Sequence, residues 1–318
     1  MKKTLIVAAV SAVAATSALA QSSVTVYGRV NVTAESQKNI SVVGSQKVLQ
    51  NNASRLGFRG TEDLGGGLKA EFLLEHRFNV DTGTAATPFW AGDSYVGLSG
   101  GFGSVKLGRL TSAAYYATAD YISYHNHDTG TSEDKLYTYL GQNANSIAYT
   151  TPSIGGLTAE LSISAGEGVS TNKVTGLALN YNVGALGLGF GYEKNSGDKD
   201  SQFAIRANYE MGPVLLGGYF QRSDDKGAGA QGKRDAYRVS AMYTMGASEF
   251  HANYGSADDW SRVRNSDASQ FTLGYNYNLS KRTKVYGFYT TVDNGAVSYF
   301  GFANRKATSI AAGVRHNF

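Results

Sequence analysis

The chain has no cysteine, only 3 prolines in 318 residues and, beyond residue 20, no unbroken apolar run of the roughly 18 residues a membrane-crossing helix requires. Each shortage excludes something. Residues 1 to 20 combine a basic start (Lys2, Lys3), an apolar stretch from Leu5 to Thr16 and a small-residue exit, Ala18-Leu19-Ala20, before Gln21. That is the pattern of a cleaved secretory leader. An exported chain without cysteine has no disulfide framework, so its stability must come from elsewhere. Charge of one sign is also scarce: 29 basic residues face 25 acidic ones, and removing Lys2 and Lys3 leaves 27 against 25. Such a balance carries no footprint for nucleic acid.

What the chain has in quantity is glycine and aromatic residues, with 39 Gly, 21 Tyr and 14 Phe. Glycine excess alone would suit disorder, but aromatic residues in this number argue for packed sheet. The stretch Asn51 to Phe78 shows how that sheet is written. Leu56, Phe58 and Gly60 alternate with Arg55, Gly57, Arg59 and Thr61. After the break Asp63-Leu64-Gly65-Gly66-Gly67, one face is Leu68, Ala70, Phe72 and Leu74, and the other is Lys69, Glu71, Leu73, Glu75 and Arg77. Period two of this kind reads as a hairpin.

The pattern recurs to the end of the chain. Val24 to Thr33 is the first strand, followed by a loop to about Gln50. Trp90 to Ser99 and Ser104 to Leu110 are another pair, and Thr111 to Asn143 is the longest connection. Gln202 to Met211 and Gln270 to Ser280 alternate cleanly, whereas Val214 to Arg222 is apolar at both parities and its faces stay open. About sixteen strands result, joined alternately by tight turns and longer loops. An even strand count with that alternation is the layout of an outer-membrane barrel, an all-β, sixteen-stranded antiparallel transmembrane β-barrel. An arginine aimed at mid-bilayer lipid costs roughly 2 to 4 kcal/mol. Arg55, Arg59, Arg206 and Arg238 are therefore expected on a water-filled side, and the apolar and aromatic parity against lipid.

Several segments resemble the general porins of neisserial and beta-proteobacterial outer membranes. They are SSVTVYGRV at 22 to 30, SRLGFRGTEDLGGGLKAEFLLE at 54 to 75, YVGLSGGFGSVKLGRL at 95 to 110, IAYTTPSIGGL at 147 to 157, QFTLGYNYNLSKRT at 270 to 283 and GVRHNF at 313 to 318. The resemblance spans the chain from residue 21 to 318, so residues 21–318 are expected to form one barrel domain. It implies a homotrimer in outer-membrane lipid beside lipopolysaccharide, passive diffusion of small hydrophilic solutes and ions, and a third external loop folded inward to narrow the pore. It also implies that Phe318 is an assembly signal read by the barrel-insertion machinery. The alternating face Ile310, Ala312, Val314, His316, Phe318 runs to that last residue.

The inward loop is expected at 111–143, which contains Asp120, Asp128, Glu133 and Asp134 against one lysine, Lys135. Asp120 is expected at the constriction, across from basic rows containing Arg29, Arg55 and Arg59; the alternative for each acid is a solvated place at the mouth. The candidate pore-lining set is Arg29, Arg55, Arg59, Lys69, Glu71, Glu75, Arg77, Asp93, Lys106 and Asp120. Two charges about 10 Å apart in water interact by only ~0.4 kcal/mol. Selectivity is expected to be weak. Where relatives commonly have a basic residue before the segment Ser94 to Leu98, this chain has Gly92-Asp93, and at the end of the third loop it has Gln142. Arg55 is retained. The expected anion preference is accordingly weaker than is usual in the family.

Other chemistry is poorly supported. His125 and His127 are spaced for a transition metal but lack a third ligand at a defined distance, and ordinary loop residues are the simpler reading. His76, His251 and His316 fall in strands, at interface or pore-lining positions rather than in a triad with Ser and Asp. Gly187-Leu188-Gly189-Phe190-Gly191 lies inside an alternating strand with no helix after it, so it is not a dinucleotide loop. No cofactor, metal or enzymatic activity is expected. The competing assignment is a secreted soluble β-rich adhesin or binding module, with the apolar parity inside.

Overall fold

The structure is a computed structural model and describes residues 23–124, 130–138, 142–169, 173–197, 199–227 and 229–318. Eighteen strand segments form one antiparallel sheet closed on itself. They are β1 (Ser23–Lys38), β2 (Ser45–Asn51), β3 (Arg55–Gly65), β4 (Leu68–Asn79), β5 (Thr84–Ala85), β6 (Ser94–Gly100), β7 (Gly103–Thr111), β8 (Gln142–Thr150), β9 (Leu157–Ser164), β10 (Val174–Val183), β11 (Leu186–Asn195), β12 (Ser201–Met211), β13 (Val214–Asp225), β14 (Gly232–Met245), β15 (Ser248–Ala257), β16 (Ala268–Asn278), β17 (Thr283–Asn294) and β18 (Lys306–Asn317). Segments β2 and β3 are halves of one barrel strand, since β1 pairs with β3 below and β2 above. The two-residue β5 is a spur on the end of β4. The barrel thus has sixteen strands.

Closure runs between β1 and β18, from Arg29↔Asn317 to Lys38↔Thr308. The last residue joins in: Gly28 N–H donates to the Phe318 carbonyl at 3.0 Å and Phe318 N–H to that of Gly28 at 3.1 Å. Among the described residues no barrel strand edge is left unpaired, which a lipid environment demands. At one end the turns are tight. The β3–β4 turn contains Gly65, Gly66 and Gly67 at φ of +85°, +61° and +82°. Three successive left-handed residues would strain any L side chain there, although the space around them is open. At the other end lie the longer connections, of which 112–141 is the longest.

Burial is inverted relative to a soluble protein. Val24 (67 %) and Ile310 (63 %) are exposed, along with a belt of outward Tyr, Leu and Val, whereas Arg238 (1 %), Gln221, Gln270 and Asn31 are buried. Register carries one inward face around the wall, for example Gln202↔Ser223, Ser223↔Arg234 and Arg206↔Tyr219. This rules out the soluble module, whose apolar parity would be buried.

Three expectations need correction. The first strand does not end at Thr33 with a loop to Gln50: β1 continues to Lys38 and β2 begins at Ser45. Above Thr33 neither parity carries a large apolar side chain (Thr33, Glu35 and Gln37 against Ala34, Ser36 and Lys38), so alternation of polarity fades while the backbone ladder goes on. The strand expected from Trp90 begins at Ser94. Phe89 and Trp90 instead fold back on the outer wall, with Phe89 stacked on His76 at 3.9 Å and Trp90 edge-on to Phe58 at 6.5 Å. The long loop is also shorter at both ends than 111–143, because Thr111 and Gln142 pair as strand residues.

Candidate functional site: the lumen and its inward loop

The third long loop fills part of the lumen. It opens with a short helix, Ala113–Ala117, whose Ser112 hydroxyl accepts the Tyr115 N–H at 3.1 Å, followed by a 3-10 turn, Ala119–Ile122. Its buried alanines face strand glycines. A Cβ at Gly189 would lie 2.0 Å from the Ala117 carbonyl, and one at Gly191 2.6 Å from Ala114. Gly217 similarly makes way for Ile122 and Tyr124. The glycine-rich run 187–191 is therefore a bed for the loop. The same packing explains the ambiguous faces of β13. Tyr219 points inward yet is buried against Ala119 and Ile122, so an apolar residue occupies what is elsewhere the polar parity.

Beyond the turn, segment 130–138 is fastened to the far wall by polar side chains. Asp134 is the knot. Its Oδ1 accepts from Arg238 Nη2 at 2.7 Å and from the Leu136 and Tyr137 N–H groups at 2.9 and 3.3 Å, and its Oδ2 from Arg238 Nε at 2.9 Å and the Tyr219 hydroxyl at 2.5 Å. Burial opposes ionisation of this carboxyl, but the Arg238 guanidinium and the other donors outweigh it and hold it below the usual carboxylate range. Two glutamines act as strand substitutes. Gln221 accepts the Thr138 N–H at 2.7 Å and donates to its carbonyl at 2.8 Å, and Gln270 bridges the Lys135 N–H (3.0 Å) and the Glu133 carbonyl (2.9 Å). Leu136 is enclosed by Ala236, Ala257, Ala268 and Tyr299.

On the opposite wall three arginines share one level, since Arg29 pairs with Arg55 and Arg55 with Arg77. Like charges on neighbouring strands repel. Glu75 relieves them, at 2.7 Å from Arg77 and 3.7 Å from Arg55, and accepts the Tyr27 hydroxyl at 3.1 Å. Between this wall and the loop lies a space of about 780 Å³ lined by Arg55, Arg77, Tyr115, Tyr116, Asp120 and Glu133, among others. The structure thus brings Arg55, Arg77 and Asp120 to one space.

The remaining candidates are spread out. Arg59, Lys69, Glu71 and Lys106 face inward nearer the tight turns, with Arg59 over the Tyr27 ring at 5.2 Å and Lys106 over Tyr95 at 4.9 Å. Asp93 lies at the other end of β6, its carbonyl accepting the Glu75 N–H at 3.0 Å, and its carboxylate accepts the Thr111 N–H at 2.8 Å and its hydroxyl at 2.6 Å. Arg206 and Arg238 share the inward face as expected from parity, but beneath the loop: Tyr121 stacks on Arg206 at 3.7 Å. Of the histidines, His251 faces inward and His76 and His316 outward. His125 and His127 lie outside the described residues, and among the described residues no group of three metal-ligating side chains forms. Phe318 turns its ring outward, against His316 at 6.5 Å.

Sequence reasoning missed Tyr115 and Tyr116 as lining residues and Asp134 as the loop's anchor. Glycines at the polar parity of β11 were the signal available, because a strand that lines open water has no need to omit its side chains there.

The Gram-negative porin family matches residues 6–296. The chain belongs to this family. Porin protein 32 of the Delftia acidovorans outer membrane is 33 % identical over the full length of both chains, and the major outer membrane protein P.IB of Neisseria meningitidis serogroup A is 26 % identical, again over the full length of both. Among solved structures, an anion-selective porin from Comamonas acidovorans superposes with a TM-score of 0.78 at 28 % identity, covering 94 % of this chain and 100 % of that one. OmpT of Vibrio cholerae, in a trimer form, shares the fold at 16 % identity, with a TM-score of 0.71 and coverage of 93 % and 99 %. This porin is an outer-membrane channel for the diffusion of small solutes, and not an enzyme.

Proposed function

We propose that the channel is weakly anion-selective, and that its selectivity arises at the level of Arg29, Arg55 and Arg77. The observation that carries this reading is the arginine row on one wall, set across from a loop bearing Asp120. Glu75 offsets part of the positive charge, and Asp93 stands where a further cation would strengthen it. An ion about 10 Å from one unit charge in water feels ~0.4 kcal/mol, and salt screens this further. The transverse field biases passage and orients dipolar solutes rather than excluding cations. The Comamonas acidovorans porin, described as anion-selective, supports the sign. Reversal potentials across a planar bilayer in a KCl gradient are the test: a small potential of the chloride sign is expected, and cation preference would overturn the proposal.

The physiological unit we infer is a homotrimer, supported by family membership and by the trimeric form of the Vibrio cholerae protein. Residues 1–20 are removed on export, and residues 21–318 form the barrel. The outward ring of Phe318 at the closing seam, beside the Gly28 backbone, supports reading it as the assembly signal for the insertion machinery. Purified protein running as a heat-modifiable oligomer that begins at Gln21 is the expected result.

A further inference from the structure

A second polar hollow lies at the tight-turn end of the barrel, next to Arg29 of the arginine row, whose register partner is Asn317. The 279–282 turn, the start of β17 and the end of β18 enclose about 120 Å³, lined almost wholly by polar atoms of Lys281, Arg282, Lys284, Arg315, Asn278 and Asn317 among others. Tight turns face the periplasm in outer-membrane barrels. Lys284 and Arg315 are direct register partners, and both belong to the inward parity. Like charges directly opposite on an antiparallel pair cost stability. The turn immediately before Lys284 adds Lys281 and Arg282.

The frame around these cations is stiff. The Ser280 hydroxyl accepts the Arg282 and Thr283 N–H groups at 3.2 and 3.1 Å, the Asn317 N–H donates to the Arg282 carbonyl at 2.8 Å, and the Thr283 hydroxyl meets His316 Nδ1 at 2.8 Å. Arg315 Nε is directed to Asn317 at 3.3 Å. The carboxylate facing this part of the wall, Glu249, lies in the field of Lys284, but its oxygens are engaged by Asn276 and Asn278 at 2.7 Å each and by His251 at 3.5 Å. Lys281, Arg282, Lys284 and Arg315 thus line a space equal to roughly four water molecules' share of the liquid. A rigid polar concavity of this size with convergent cations matches a tetrahedral oxyanion, whose several acceptor oxygens meet ammonium and guanidinium donors together.

We propose that this hollow is an anion site at the periplasmic mouth, taking a phosphate-sized oxyanion from solution. Lys284 and Arg315 hold it from the wall, and Lys281 and Arg282 close over it from the turn. Because binding is measured apart from conduction, its failure is distinguishable from failure of the selectivity proposal.

The test is titration calorimetry of the full-length folded oligomer in detergent with inorganic phosphate, in a buffer free of other oxyanions. One saturable site per chain is expected, weakened about tenfold in K284Q and in R315Q and less in R315K. K281Q/R282Q is expected to weaken it as well, and R55Q to leave it intact. Each variant is compared at equal content of heat-modifiable oligomer, so misfolding is read separately. Absence of saturable binding overturns the proposal, as does binding lost in R55Q but retained in K284Q. A lipid headgroup could supply the same chemistry. Equal phosphate affinity in nanodiscs of phosphatidylglycerol and of phosphatidylcholine supports the soluble oxyanion, and displacement by phosphatidylglycerol overturns it.

Discussion

Asp134 shows how one side chain holds a loop inside a pore. Breaking a buried, hydrogen-bonded ion pair by removing one partner typically costs about 3 to 5 kcal/mol, because the survivor stays buried and uncompensated. D134A leaves Arg238, itself 1 % exposed, in that position. We expect D134A to release segment 130–138, seen as larger open-channel current noise in bilayer recordings, with the barrel still heat-modifiable. The pH dependence follows from the same contacts. The folded Asp134 carboxyl lies below its ordinary value of 3.8. A depressed carboxyl contributes stability that is complete above the unfolded value and disappears as pH falls through the folded one. Noise should therefore be low at neutral pH and rise only as pH falls below the ordinary carboxylate range, and noise that increases toward neutral pH would contradict the assignment. Glu75 predicts a separate effect. E75Q leaves Arg55 and Arg77 without their shared counter-charge, so the chloride-to-potassium permeability ratio should rise about twofold, the factor corresponding to ~0.4 kcal/mol.

At the scale of elements, the third loop and the wall beneath it are shaped to each other. The helix Ala113–Ala117 is far too short to be stable alone. It exists because Ser112 caps it and because Gly189 and Gly191 let its backbone touch the sheet. Filling that bed should cost about 1 to 3 kcal/mol of overpacking. We expect G191V to push the helix toward the arginine row and to lower single-channel conductance, whereas A207V, on the outward parity of the neighbouring strand, leaves conductance unchanged. Equal currents in the two variants would show that the loop does not limit the pore. Strand boundaries were legible wherever lipid imposes contrast between faces. They were illegible above Thr33 and before Ser94, and in β13 it was the faces that stayed open, because loop side chains replace water there.

For the whole molecule, the closed sheet makes the polar side the inside. Turning an inward arginine outward at mid-bilayer would cost roughly 2 to 4 kcal/mol, and this wall contains Arg206, Arg234 and Arg238 on its buried parity. The converse substitution is a test of orientation. V239R places a charge on an outward site that is 58 % exposed. We expect it to reduce the yield of heat-modifiable protein in outer-membrane fractions, while S240R on the adjacent inward site is inserted normally and alters conductance.

Period-two alternation, the scarcity of proline and the glycine punctuation were enough to determine the barrel, its strand number and which parity meets lipid, because each of these is a local property repeated along the chain. The row Arg29, Arg55, Arg77 was partly readable for the same reason, since strand neighbours inherit their level from hairpin register. The path of the third loop was not. Its anchors Arg238 and Gln270 lie more than 100 residues from the segment they hold, and such pairings exist only once closure of the sheet has brought distant strands around a common lumen.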